Sequence, residues 1–106
     1  MLLLLDDKGE LSAFPDEEEQ SLATELGAEG LHKIDEAIIG SARPNWLKVA
    51  RVVSDAIKVG RFPYSDAAVT LHIRRVIELA NSGALEFQGN LRRPRFSEVR
   101  IPNVNR

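Results

Sequence analysis

The amino-acid sequence predicts a small, mainly α-helical domain with a minor β component. Two observations lead to this prediction. Between residues 33 and 82 apolar side chains recur every three to four positions, which is the spacing of helices that bury one face. After residue 83 the apolar period falls to two, which is typical of half-buried strands. A chain of 106 residues, 43% hydrophobic and 28% charged, is long enough for one domain with one core.

The first thirty residues are predicted to form a β-hairpin followed by an acidic helix. Two apolar stretches, Leu2–Leu5 and Leu11–Phe14, flank a short turn that ends in a glycine able to take a positive φ. Carboxylates then fill the first turn of a helix from Asp16 to about Leu26, with stops at Gly27 and residue 30. We expect six large apolar residues to pack this segment on the core: Leu3, Leu5, Leu11, Phe14, Leu22 and Leu26.

Three further helices are predicted over Lys33–Ile39, Pro44–Val59 and Asp66–Ser82. A glycine follows each of them, which is the usual residue just past a helix C-terminus. Proline is tolerated at the first position of the second helix, and Ser65 can cap the third.

Two strands, Leu85–Gln88 and Glu98–Ile101, are predicted to form a hairpin around a long basic loop. Three helices followed by such a hairpin are the order of a winged helix-turn-helix. The helices over 44–59 and 66–82 would form the helix-turn-helix, and residues 84–101 the wing. The prediction is therefore a winged helix-turn-helix preceded by an N-terminal hairpin and acidic helix, with a division into residues 1–30 and 31–106.

Four stretches also carry a family resemblance: Asp35 with Ile38 and Ile39, Trp46–Val53, Ile73–Leu79, and Gly83–Leu91 with Glu98–Arg100. Through them, residues 31–102 resemble a bacterial domain of unknown function that occurs alone or C-terminal to another uncharacterised domain. The resemblance implies a winged-helix-like fold and a bacterial origin, and it implies no established reaction.

The charge is distributed unevenly along the chain. Residues 1–40 carry eleven acidic and two basic side chains, whereas residues 41–106 carry five acidic and twelve basic ones. This asymmetry is typical of nucleic-acid contact or of an acidic segment that shields a basic surface. It is equally typical of two halves that attract each other within one fold, so both interpretations stay open.

Composition argues against an enzyme, a metal centre and a membrane protein. The chain has no cysteine and two histidines, so thiolate metal sites and disulfides are excluded, and a reducing, cytoplasmic compartment is expected. No catalytic spacing, phosphate loop or metal-ligand motif is found in the sequence. The opening apolar run is followed at once by Asp6 and Asp7 and is too short for a signal peptide or a membrane span. No catalytic residue, cofactor or metal is therefore predicted.

Protein–protein interaction or dimerisation is the first functional hypothesis. Leu71, Val52 and Val59 fall off the apolar stripes of their helices, and together they could form a contact surface.

Nucleic-acid binding through the basic wing and the helix 66–82 is the alternative. Its candidate residues are Arg74 and Arg75 on the helix and Arg92, Arg93 and Arg95 on the wing, because guanidinium groups bind phosphate and guanine in a bidentate manner. The competing interpretation is a solvated helix face on which Arg74 pairs with a glutamate one turn later.

Overall fold

The computed structural model describes residues 9–102. Three helices and a three-stranded antiparallel sheet make up this part of the chain, which confirms the predicted mainly helical class with a small β component. The elements in order are α1 (Glu17–Ser41), β1 (Leu47–Lys48), α2 (Val49–Gly60), α3 (Asp66–Asn81), β2 (Glu86–Gly89) and β3 (Ser97–Arg100), with a 3-10 helix over Pro94–Phe96 just before β3.

Helix α1 joins the two predicted N-terminal helices into one kinked helix. Asp16 caps its start by accepting a hydrogen bond from the Glu19 N–H at 2.9 Å. At Gly27 the backbone leaves the helical region with φ of 67°, a conformation that glycine adopts without a steric penalty. The predicted break at Gly27 is therefore confirmed. The predicted stop at residue 30 and fresh start at Lys33 are wrong, because the helix resumes directly after the kink.

The helix predicted to begin at Pro44 begins later, because two of the residues assigned to it belong to the sheet instead. Leu47 and Lys48 form strand β1 and pair with Val99 and Glu98 of β3. Helix α2 then begins at Val49. A pairing between residues fifty positions apart leaves no periodic signal in the local sequence, so the pattern assigned these residues to the helix.

Strand β3 lies at the centre of the sheet, in the order β1-β3-β2. The predicted hairpin is confirmed as β2 and β3, with Phe87 opposite Val99 and Gly89 opposite Ser97. Gly89 has φ of +86°, and a Cβ there would lie 2.7 Å from the carbonyl oxygen of Phe96. Glycine is therefore required where the chain leaves β2.

The core lies where α1 packs against α2 and α3, with the inner face of the sheet at one side. Two residues predicted to be exposed, Val52 and Leu71, are buried at 0% and 5% exposure, and only Val59 is exposed, at 69%. That prediction is wrong for Val52 and Leu71, because α2 and α3 each contact two or more other elements. Each helix therefore buries more of its surface than the single apolar stripe read from the sequence.

The N-terminal segment is bound to the rest of the domain without forming the predicted second strand. Residues 11–14 are irregular, and Leu2–Leu5, the other half of the predicted hairpin, lies outside the described residues. Leu11 is buried in the core at 1% exposure, whereas Phe14 is 81% exposed and not part of it, contrary to prediction. Helix α1 runs through residue 30, and the division of the chain there stays a prediction.

Candidate functional site

The two arginines predicted to read nucleic acid from α3 are held by carboxylates of α1. Arg74 donates from Nε to Glu19 and, at 3.3 Å, from Nη2 to the Ser12 hydroxyl. Arg75 donates to both oxygens of Asp35, at 2.9 and 2.8 Å. These hydrogen bonds raise the pKa of Arg75 above its ordinary value. Both arginines are thus already engaged within the chain.

The three predicted wing arginines have three different environments. Arg92 donates from Nε to the Leu11 carbonyl at 2.9 Å, and its guanidinium lies 3.8 Å from Glu10. Arg93 stacks over Phe96, with its Cζ 4.7 Å from the ring centroid. Arg95 lines a groove between the 3-10 helix and α2. The wing is basic in sequence, yet Arg92 is directed back onto the N-terminal segment.

The groove beside Arg95 is a concavity lined by three basic side chains. It has a volume of about 350 Å³, and we call it the basic groove; its lining residues are Lys48, Ala50, Arg51, Ser54 and Arg95. The Ser54 hydroxyl is hydrogen-bonded to Tyr64. Arg51 lies 3.8 Å from Asp55 in an exposed pair.

Sequence reasoning missed Lys48 and Arg51 as site residues. The one indication of them in the sequence is that two basic residues stand three positions apart at the start of α2. That they meet a wing arginine is a property of the tertiary structure.

A second exposed feature is aromatic and lies at the open edge of the sheet. Strand β2 is hydrogen-bonded to β3 alone, so its other edge has no neighbour among the described residues. Phe87 on this strand is 49% exposed, and Phe96 at the end of the wing is 51% exposed. We call Phe87 and strand β2 the aromatic edge; Phe96 belongs to the 3-10 helix, which contacts α2 and β1.

His72 on α3 is fully buried. Its Nδ1 is hydrogen-bonded to the Ala68 carbonyl at 2.7 Å, and the Phe62 ring meets it edge-on at 5.1 Å. Its Nε2 has no hydrogen-bond partner within residues 9–102. Burial lowers the pKa of His72 below the ordinary 6.5, and the hydrogen bond to Ala68 opposes part of this shift.

This lowered pKa predicts that stability falls in mild acid. The unfolded chain takes up a proton on His72 below about pH 6.5, whereas the folded chain resists it until the pH is lower. The free energy of unfolding should be constant above pH 6.5 and fall below it by up to about 1.4 kcal/mol per pH unit. Urea unfolding between about pH 7.5 and 5.5 measures this slope.

The matched control separates His72 from the other histidine. His72→Leu should remove the slope below pH 6.5, whereas His32→Gln should keep it, because His32 is exposed and paired with Glu36 at 3.3 Å. A slope unchanged in His72→Leu would contradict the assignment.

Neither a metal centre nor a membrane-spanning helix is found in the described residues. No group of three or more His, Asp or Glu side chains within residues 9–102 is arranged to hold a metal ion. None of the three helices combines the length and the apolar character needed to cross a bilayer. Comparisons with protein-family models, with curated proteins and with solved structures found no match to this chain.

Proposed function

We propose that the protein is a winged-helix module of protein–protein interaction that associates with a second copy through the aromatic edge. The order α1-β1-α2-α3-β2-β3 and the sheet order β1-β3-β2 support the winged-helix assignment. In this assignment α2 and α3 form the helix-turn-helix, and residues 84–101 form the wing. A bacterial origin and a cytoplasmic location belong to the same proposal.

The observation that carries the proposal is a strand edge without a neighbour among the described residues, on a strand that bears the half-exposed Phe87. An edge strand presents free backbone N–H and C=O groups to another strand. Natural proteins commonly protect such an edge with charge or proline; β2 (Glu86–Gly89) has no proline, and its one charged residue, Glu86, is paired with Arg100. Aromatic residues are enriched in protein interfaces, and Phe87 on this strand is 49% exposed.

Antiparallel pairing of two β2 strands is compatible with their charges. If the two-fold axis passes at Phe87, Glu86 lies opposite Gln88 of the second copy rather than opposite another carboxylate. Glu86 is moreover neutralised within its own chain by the Arg100 Nε at 2.6 Å. The resulting sheet would contain six strands, with β2 no longer at an edge.

Phe87→Lys is expected to shift the protein to monomer at concentrations where the native chain is dimeric. The substitution removes the apolar contact and places like charges opposite each other across the two-fold axis. Sedimentation velocity over a dilution series measures the change. Phe14→Lys is the matched control, because Phe14 is 81% exposed and belongs to the N-terminal segment. A native chain that stays monomeric at high concentration would refute self-association.

The alternative proposal, nucleic-acid binding through the wing and the helix 66–82, has weaker support on the helix side. The two candidate residues on α3, Arg74 and Arg75, are both bound to carboxylates of α1. The wing side has one specific feature in its favour, since Arg95 lies beside Lys48 and Arg51.

A further inference from the structure

The polar side chains of β2 are held by β3, on the side of β2 that faces away from the open edge. Glu86 accepts a hydrogen bond from the Arg100 Nε at 2.6 Å, and the Gln88 amide donates to the Glu98 carboxylate. In each pair the two residues lie directly opposite each other in the register of β2 and β3. These hydrogen bonds draw both side chains of β2 away from the backbone groups that the open edge presents to another strand.

Arg100 is oriented by an aromatic ring on its other side. Its guanidinium lies over the indole of Trp46, with the Cζ 4.3 Å from the ring centroid. Trp46 comes just before β1, and the pairing of Leu47 with Val99 brings it beside Arg100. Stacking fixes the plane of a guanidinium, so Arg100 loses little conformational freedom when it binds Glu86. The row formed by Trp46, Arg100 and Glu86 therefore crosses the sheet and ends at the open edge.

The charges of the three strands balance only while Arg100 is present. The strands contain two basic and two acidic residues, which are Lys48, Arg100, Glu86 and Glu98. Their register places all four on one face of the sheet, opposite the face on which Val99 is buried. Without Arg100 this face has one basic side chain against two acidic ones in each copy. Like charges brought together across paired strands oppose the pairing.

We propose that Arg100 is the positioning residue that makes the edge of β2 able to pair with a second copy. This inference rests on the proposed self-association through the aromatic edge. Arg100 acts through Glu86, because it neutralises the carboxylate and holds it toward β3. An edge strand with an unpaired charge is protected against pairing. Loss of Arg100 therefore converts β2 from a pairing edge into a protected one.

Arg100→Met is expected to raise the dissociation constant of the dimer about 10-fold at about 50 mM salt. The two-fold axis doubles the effect of the substitution, because both copies lose the cation. The increase should shrink to about 2-fold at about 500 mM salt, because salt screens repulsion between exposed charges. Arg100→Lys keeps the positive charge and should stay within about 3-fold of the native chain. Sedimentation velocity over a dilution series at both salt concentrations measures the constants.

Two controls separate this role from a general effect on the sheet. Glu86→Gln combined with Arg100→Met should restore a dissociation constant near the native one, because no unpaired carboxylate is left at the edge. Lys48→Met removes a positive charge from the same face on β1, at the far side of the sheet, and should change the constant by less than about 3-fold.

The variants are expected to fold. The Arg100 and Glu86 side chains are 34% and 42% exposed, and ion pairs that are this exposed contribute little to stability. Circular dichroism checks each variant, and Arg100→Gln takes the place of Arg100→Met if the methionine variant does not fold.

Four results with a native chain that dimerises would overturn the proposal and leave self-association standing. They are an unchanged dissociation constant in Arg100→Met, a weakening that is equal at both salt concentrations, no recovery in the double variant, and an equal weakening in Lys48→Met. A native chain that stays monomeric at every concentration would overturn both the role of Arg100 and the proposed function.

Discussion

Deletion of residues 1–30 is expected to abolish the cooperative unfolding transition. The deletion removes Leu11, which is 1% exposed in the core, and cuts α1 three residues after its kink at Gly27. It also removes Leu22 and Leu26, which pack against the core from the first half of α1. The surface left behind is apolar and too large for the remaining chain to cover.

A thermal melt followed by circular dichroism and a measurement of aggregation test this expectation. Leu11→Ala is the point variant that keeps the segment in place, and it should lower the free energy of unfolding by about 2–5 kcal/mol. Phe14→Ala is its control and should change stability by less than about 0.5 kcal/mol, because Phe14 is exposed. An unchanged cooperative transition after the deletion would show that the acidic segment is a detachable cover.

Arg74→Leu is expected to destabilise the fold by about 3 kcal/mol. The Glu19 side chain is 4% exposed and accepts a hydrogen bond from Arg74, whose own side chain is 21% exposed. Removing the arginine leaves a buried carboxylate without its cation, and breaking a buried pair typically costs about 3–5 kcal/mol. We take the lower end of this range because Arg74 is partly solvated. Urea unfolding near neutral pH measures the loss.

A double-mutant cycle identifies the cause of that loss. Glu19→Leu combined with Arg74→Leu should recover at least about 2 kcal/mol, because no unpaired charge is left in the core. The matched control is Arg51→Leu, since the Arg51–Asp55 pair is 68% and 42% exposed and should contribute less than about 1 kcal/mol. Additive effects of the Glu19 and Arg74 substitutions would show that the pair is not coupled.

Local sequence signals predicted much of the helical framework and the hairpin. The break at Gly27, the Ser65 cap of α3 and the change to period two after residue 83 each depend on residues close together in the chain. Backbone preference and apolar spacing act over a few residues, so they can be recognised without knowledge of the fold.

The candidate site was less accessible to sequence reasoning. Basic character in the wing was evident, but the groove that Arg95 shares with Lys48 and Arg51 depends on how the wing folds onto α2. The sequence did not predict which strand of the hairpin would stay at an edge, because strand β1 was not predicted. In the structure β1 pairs with β3, and β2 therefore lies at the edge of the sheet.

The sequence by itself determined the mainly helical class, the hairpin of β2 and β3, the break at Gly27 and the Ser65 cap. Only the tertiary structure decided that residues 47–48 would join the sheet, that Val52 and Leu71 would be buried, and that Arg74 and Arg75 would bind carboxylates of α1. The physical reason is that these outcomes depend on residues forty to more than fifty positions apart. Periodicity reports which face of a helix is apolar, and the packing partner decides how much of the remaining surface is covered and which charges meet.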